Sequence, residues 1–330
     1  MRIDVHAHYF PRSFADLLAA NGRPDLRFIG QSDDLGERVR ELDVAEIDIQ
    51  ILSAVGPSLV VPEPDAALRA ARHLNDAYAA TVDRHGGRFQ AFGHVPLNHL
   101  EHAVSETDRC LGELGFAGIA LPCSVDGVAI DDPRFEPFWA NAARHRAVVY
   151  VHPVGSDSAC HPGLDDWQLH TAFGSPTQIA AAPVRVVYSG LARRHPALRF
   201  VFAMGAGTLP FLWPRIEVNL RRGLTLSATK AVGAGYFAWI DDLGLDSDDP
   251  MGPLRNFWYD TAVQDIPAAL LVAKETVGTD RLLLGSDAIF ASAVKAVTYI
   301  ENSAYLTEEE KTSILDTNAL SLFDFAQTVR

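Results

Sequence analysis

The chain opens on Met1-Arg2-Ile3-Asp4-Val5-His6-Ala7-His8, a mainly apolar run that ends in two histidines. Side chains two residues apart on a β-strand point to the same face. His6 and His8 are therefore expected to lie side by side at the end of one strand. Two imidazoles in that arrangement can bind a single metal ion. The segment predicts an opening strand that carries half of a metal site.

Two further strand-like runs end in side chains that bind metals. The run VYVHP at 149–153 brings His152, and the run LGSD at 284–287 brings Asp287. Three imidazoles and one carboxylate are ligands that zinc and related divalent ions use. A His-x-His pair alone arises by accident as readily as by function, so the prediction depends on the whole set. The predicted ligands are His6, His8, His152 and Asp287.

Short β-branched runs alternate with longer amphipathic stretches, which is the pattern of βα units around a parallel sheet. Eight units close into a (β/α)8 TIM barrel, whose active site lies at the C-terminal ends of the strands. All four predicted ligands fall at such ends. No linker rich in Pro, Gly or Ser divides the chain, so 1–330 is predicted to be a single domain. Predicted strands lie near 2–6, 47–53, 89–94, 118–121, 147–152, 199–203, 256–260 and 281–285, with helices at 66–84, 103–114, 134–144, 177–194 and 266–277.

The composition is that of a large water-soluble enzyme. The 330 residues are 48% hydrophobic and carry a net charge of −14, which argues against nucleic acid or an anionic membrane as partner. No apolar run approaches the roughly 20 residues of a membrane span. The chain enters a strand at once, so no signal peptide is expected. Its three cysteines lack a metal-type spacing, which together with the previous point predicts a cytoplasmic protein.

The chain resembles the amidohydrolase superfamily, and more narrowly the branch of aminocarboxymuconate-semialdehyde decarboxylase and the resorcylate-type decarboxylases. The resemblance implies one divalent metal ion, zinc first and manganese second, held by His6, His8, His152 and Asp287. It also implies carbon–carbon lyase or hydrolase chemistry, and it is compatible with a homodimer. It runs nearly end to end and rests on DVHAH at 4–8, VHP at 151–153, GSD at 285–287 and NALSLF at 318–323, with RELD at 40–43, IQILS at 49–53 and GFAGI at 115–119 as further segments.

One position departs from the family it resembles. After the sixth strand these relatives typically place a histidine, a Gly-rich turn and Pro-Phe, whereas this chain has FAMGAGTLPF at 202–211. Met204 takes the histidine position without a gap, and a one-residue shift would place Ala203 there instead. Neither side chain can move a proton, since a thioether is only a weak acceptor and a methyl group is none. General acid–base catalysis needs a group that titrates near the working pH. The step in which that histidine activates a metal-bound water therefore lacks its usual residue.

Several groups can take over the missing role. A metal alone lowers the pKa of its bound water to about 7, and the resemblance implies that Asp287 both binds the metal and carries a proton. His170, on a loop predicted at 155–176 to overhang the site, and His94, at the end of the third strand, are the other candidates. We favour substrate polarised by the metal with Asp287 as proton carrier, because this mechanism needs the fewest additional groups.

Four residues are predicted to line a substrate pocket. Met204 and Phe290 flank predicted strand ends, Trp167 lies on the overhanging loop, and Arg215 could face a substrate carboxylate. Each also has a purely structural interpretation: core packing for the apolar residues and an ion pair for Arg215.

Three functions are consistent with these residues. The first is a metal-dependent, non-oxidative decarboxylase of an aromatic or unsaturated carboxylic acid. The second keeps the site but performs hydrolysis, or a cyclisation-type condensation of an aromatic acid; loss of the strand-six histidine favours the condensation because water is then no longer the obligatory nucleophile. The third is a barrel that binds ligands without turning them over, a reading that the retained ligand set disfavours.

Overall fold

We analysed a computed structural model of the chain. It describes residues 1–21, 35–55, 61–154, 163–164, 166–230, 234–262, 266–323 and 325, with only the backbone at 234–236. Among these residues, no helix combines the length and apolar character that a bilayer crossing requires.

Eight parallel strands form the central sheet, in the order β1-β2-β3-β4-β7-β8-β9-β10. The amide of Val5 donates to the carbonyl of Leu284 at 2.9 Å, and the amide of Asp287 donates to the carbonyl of His6 at 2.8 Å. These bonds join β10 to β1 and close the predicted barrel. The strands are β1 (Ile3–His8), β2 (Ile49–Ser53), β3 (Phe89–His94), β4 (Gly118–Pro122), the hairpin strands β5 (Ser124–Val125) and β6 (Val128–Ala129), β7 (Val148–His152), β8 (Arg199–Phe202), β9 (Trp258–Asp260) and β10 (Leu282–Leu283).

Helices follow the strands around the outside of the barrel. α3 shows how sequence sets a boundary: the Glu63 side chain accepts from the amides of Asp65 and Ala66, and Pro64 occupies the first turn, where its missing N–H is harmless. The helices are α1 (Arg12–Ala20), α2 (Gly36–Val44), α3 (Pro64–Arg84), α4 (Leu100–Asp108), α5 (Glu136–Arg144), α6 (Ser175–Tyr188), α7 (Leu191–Arg194), α8 (Leu209–Thr229), α9 (Gly252–Arg255), α10 (Pro267–Val277), α11 (Ala293–Glu301), α12 (Glu308–Thr312) and α13 (Asn318–Leu322).

The helix predicted over 177–194 is interrupted. α6 ends at Tyr188 and α7 begins at Leu191, because Gly190 between them adopts a left-handed φ of 74°. Glycine reaches that conformation at little steric cost, so the chain turns there. Apolar periodicity continues through the turn, which is why the sequence pattern concealed it.

Alternation along each strand creates two apolar layers. On β7, Val149 and Val151 pack in the cluster shared with the helices, whereas Val148 and Tyr150 pack in a second cluster with inward-facing residues of other strands. His152, two residues after Tyr150, therefore points into the barrel at its C-terminal end. The fold thus delivers the predicted ligands to one opening, which we call the mouth.

Candidate metal centre

Three histidines meet inside the mouth. His6, His8 and His152 each offer a ring nitrogen, and these atoms all lie within 4.8 Å of one another. The three side chains are buried, and Nε2 of His6 is 3.3 Å from Nε2 of His8. Two ring nitrogens this close repel through their lone pairs unless a proton or a metal ion lies between them. The cluster fits one divalent metal ion.

Asp287 completes the predicted set. Its Oδ1 lies 3.3 Å from Nε2 of His6 and 3.2 Å from Nε2 of His8. One carboxylate oxygen thus faces the same point as the imidazole nitrogens. The structure brings together all four residues that the sequence proposed as ligands, from β1, β7 and the segment after β10.

The other ring nitrogens are arranged to leave the inner ones available. Nδ1 of His152 donates to the carbonyl of Pro153 at 2.8 Å, which leaves Nε2 as the ligand atom. The His8 ring stacks on Phe10, with ring centroids 5.8 Å apart, and Phe290 meets it edge-on at 5.2 Å. Nδ1 of His8 has no hydrogen-bond partner among the described residues. On the side away from the ligand cluster, aromatic packing orients the His8 ring.

Asp260, which we did not predict, supports the site from behind. Its Oδ2 lies 2.9 Å from Nδ1 of His6 and accepts from the Tyr150 hydroxyl at 3.0 Å. Its Oδ1 accepts the amides of Met204 and Ala262, at 2.8 and 3.0 Å. Metal-binding histidines usually donate their second N–H to such a carboxylate, which fixes the tautomer and the ring orientation. Asp260 ends the seventh predicted strand, so the strand-end rule that selected Asp287 would have found it.

The electrostatics of the metal-free chain favour a cation. Burial lowers the pKa of His6, but the charges of Asp260 and Asp287 outweigh it and raise the pKa to about 10. Burial raises the pKa of Asp287, yet His6 and His8 bring it well below its usual range. Burial lowers the pKa of both His8 and His152, so these imidazoles are neutral. Two neutral imidazoles beside two carboxylates favour one positive charge at the cluster. Without a metal ion, that charge is the proton on His6.

Met204 occupies an unusual backbone turn after β8. Met204, Gly205, Ala206 and Gly207 all have φ between 56° and 58°, a left-handed run. A Cβ on Gly207 would collide with the carbonyl oxygen of Pro176, so only glycine fits there. The Met204 side chain is half-buried against the inner cluster, and its amide is held by Asp260. Position 204 therefore contributes a backbone contact to the site, whichever side chain it carries.

The remaining candidates lie at different depths. His94 is buried at the end of β3, whereas His170 is half-exposed in the π-helical segment His170–Gly174 that precedes α6. Phe290 is exposed but touches His8. Trp167 is 87% exposed, and Arg215 is exposed on α8. Residues 155–162 and 165 of the predicted overhanging loop lie outside the described part of the chain.

Comparison with known proteins identifies the family. The amidohydrolase family model matches residues 3–325. The chain is 28% identical over 346 residues to 2-amino-3-carboxymuconate-6-semialdehyde decarboxylase of Dictyostelium discoideum, covering 97% of this chain and 90% of that protein. It is 28% identical over 309 residues to gamma-resorcylate decarboxylase of Rhodococcus jostii, covering 87% and 86%.

A solved structure agrees in fold. Dihydroxybenzoic acid decarboxylase from Polaromonas sp. JS666, with bound manganese and the inhibitor 2-nitroresorcinol, superposes with a TM-score of 0.79 at 23% identity, over 99% of this chain and 97% of that one. The likeness supports the barrel architecture from end to end. Since the family model spans nearly the whole chain, this protein belongs to the amidohydrolase family, and it resembles the decarboxylase branch within it.

Proposed function

We propose that this chain is a metal-dependent, non-oxidative decarboxylase of an aromatic or unsaturated carboxylic acid. The observation that carries the proposal is the assembly of His6, His8, His152 and Asp287 around one point at the mouth of the barrel. The similarity to two decarboxylases over most of the chain supports it. A divalent ion held there supplies positive charge that binds the substrate carboxylate and stabilises the electrons left behind as carbon dioxide departs.

Asp287 is the proton carrier in this mechanism. Asp287 is ionised before the substrate arrives, since its pKa lies well below its usual range, so it first takes a proton from an acidic group of the substrate or from water. The bond between the carboxylate carbon and the substrate then breaks, its electron pair stays on the substrate carbon, and the proton held by Asp287 forms the new carbon–hydrogen bond. The carboxylate of Asp287 then recovers a proton from the next substrate or from water. Asp287 and Asp260 each place a carboxylate oxygen within 3.3 Å of a ring nitrogen of a ligand histidine. Both oxygens of Asp260 already accept hydrogen bonds from other groups, so Asp287 takes the role.

The replacement of the strand-six histidine suits this reaction. Decarboxylation consumes no water at the carbon that loses the carboxylate, so a base that activates water is dispensable. Met204 and Phe290 instead present apolar surface beside the ligands, which excludes water from the carbon to be protonated. In this proposal they line the pocket together with Trp167 and Arg215, and His170, just before α6, contributes a further imidazole beside it.

The finer assignments belong to the same proposal. Imidazole-rich ligand sets suit zinc, with manganese as the second choice, as bound in the Polaromonas structure. The substrate is a small carboxylic acid rather than nucleic acid, the enzyme is cytoplasmic, and it assembles as a homodimer.

Condensation of an aromatic acid by cyclisation is the second candidate. Met204 favours it over hydrolysis, because condensation, like decarboxylation, does not need the water-activating base that this position has lost. The two differ in product: decarboxylation releases carbon dioxide, and condensation retains that carbon and releases water.

The test is carbon dioxide release from a panel of hydroxylated benzoic acids by the zinc- or manganese-loaded protein. The proposal expects release that depends on metal and is abolished in Asp287→Asn. Ring-closed products that keep the carboxyl carbon would favour condensation. Tight binding of an acid without any product would make the barrel a binding protein and end the proposal.

A further inference from the structure

His94 ends β3 and faces the interior of the barrel, the side from which β1 and β7 present the ligand histidines. It shares a strand face with Phe92, whose ring stacks on Tyr150 with centroids 5.1 Å apart and an interplanar angle of 2°. In the sheet register His94 pairs with Ala120, and Ala120 pairs with Tyr150. Two strand spacings, about 10 Å, therefore separate the backbones of His94 and Tyr150. His94 and the ligand-bearing strand β7 thus lie on the same inner wall of the barrel, with β4 between them.

A buried network outside the barrel holds the His94 backbone in place. Oδ1 of Asn75 accepts from the His94 amide, and Nδ2 of Asn75 donates to the His94 carbonyl, both at 2.9 Å. Nδ2 also donates to Oε1 of Glu106 at 2.8 Å, and Arg72 and Arg109 form ion pairs with that carboxylate. Asn75 and Glu106 are fully buried. The end of β3 is thus anchored from α3 and α4, and the imidazole projects from a rigid base.

The imidazole presents an acceptor that nothing in the described structure uses. His94 is only 5% exposed, yet its Nε2 has no hydrogen-bond partner among the described residues. Burial lowers the pKa of His94 to about 4, and a hydrogen bond with the Ala54 backbone opposes this. Since that bond favours the protonated form, the imidazole donates it through Nδ1. A neutral imidazole has one donor and one acceptor, so Nε2 carries the free lone pair.

We propose that Nε2 of His94 accepts a hydrogen bond from a hydroxyl group on the substrate ring, and so makes this chain select hydroxylated aromatic acids. The inference rests on the proposed function only in taking an aromatic acid as ligand of the metal. A buried acceptor without a partner is unfavourable, and a substrate donor relieves that penalty. A substrate that carries a methyl ether at the same position leaves Nε2 unsatisfied and adds bulk. His94 is a specificity determinant, and in its neutral form it is not the proton carrier.

The experiment measures binding rather than turnover. Zinc-loaded protein is titrated calorimetrically with 2-hydroxybenzoate, with 2,3-, 2,4-, 2,5- and 2,6-dihydroxybenzoate, and with the matching monomethyl ethers. One dihydroxybenzoate should bind about five- to tenfold more tightly than its ether, the effect of one hydrogen bond. In His94→Phe that ratio should fall to about one, and His94→Gln, which restores an acceptor, should recover part of it.

His85 provides the matched control. It lies just before the opposite end of β3, packs edge-on against Phe89, and also has a buried Nε2 without a partner among the described residues. His85→Phe should leave the ratio unchanged. An unchanged ratio in His94→Phe, or no preference in the wild type, overturns the inference even if carbon dioxide is released. A preference that depends on His94 without carbon dioxide from any acid leaves the inference standing and refutes the decarboxylase.

Discussion

β7 and β8 are neighbouring parallel strands that end at the same mouth, but β7 brings a metal-binding imidazole there and β8 brings an apolar side chain. Tyr150 pairs with Val201, and Val151 pairs with Phe202, so the two strands reach the mouth side by side. β7 ends in His152, whose nitrogen joins the ligand cluster. β8 leads into Met204, which offers no titrating group. The difference teaches that a barrel of this kind can keep metal binding while it loses a proton-transfer residue, because the two functions come from separate strands.

Asp260 links the turn after β8 to the metal centre. One of its oxygens contacts Nδ1 of His6 and the other accepts the Met204 amide. The contact with position 204 is made by the backbone, which every residue except proline can supply. The turn after β8 therefore keeps its structural role in the metal centre whichever side chain stands there. This explains how methionine can stand at position 204 without disturbing the ligand candidates.

The largest effect is expected from Asp287→Asn. Carbon dioxide release should fall by about 10²–10⁴-fold, because the amide cannot carry a proton to carbon. Asp280→Asn is the matched control, since this exposed carboxylate flanks the other end of β10. Full activity in Asp287→Asn would show that the ligand side of the mouth does not perform the proton transfer.

Asp260→Asn tests the link between the metal centre and the turn after β8. Metal affinity should fall about 10–100-fold, the usual effect of losing a carboxylate behind a histidine ligand. Competition with a chromophoric chelator measures it. Glu106→Gln is the control, because Glu106 is an equally buried carboxylate outside the barrel; it should lower stability without changing metal affinity. Equal affinities in the two variants would contradict the supporting role.

The pH dependence of stability should differ between metal-free and zinc-loaded protein. The folded-state pKa of His6 is raised from 6.5 to about 10, so its stabilising contribution is complete below pH 6.5 and is lost as the pH rises through 10. The free energy of unfolding of the metal-free protein should therefore decline over this window, as followed by urea titration. Zinc replaces the proton and should remove the decline. If the free energy of unfolding declined equally with pH in the metal-free and the zinc-loaded protein, zinc would not be taking the place of the His6 proton.

The smallest effect is expected at position 204. Met204→His adds an imidazole that titrates near neutral pH, so it should add ester hydrolysis and a new titration step to the pH–rate profile. Met204→Gln, similar in size but not titrating, is the control and should do neither. No change in Met204→His would mean that the pocket beside β8 has been rebuilt and no longer admits the water that such a base activates.

Local patterns were enough to predict the barrel and the meeting of the four ligand candidates at one opening. Strand alternation and strand ends are properties of neighbouring residues, and they placed His6, His8, His152 and Asp287 at one opening of the fold. The break at Gly190 escaped the same reasoning, because a single left-handed glycine alters direction without altering apolar periodicity. Asp260 was accessible to the strand-end rule but carries no motif of its own.

The chain's residue order therefore determines which side chains reach the mouth, since alternation and strand length are written locally. Only the closed barrel decides which of them meet. The pairing of Asp260 with His6 joins residues that are 254 positions apart. Whether Nε2 of His94 finds a hydrogen-bond partner likewise depends on the side chains that the surrounding strands present. Contacts across the barrel depend on the register of eight strands together. No local stretch contains that information.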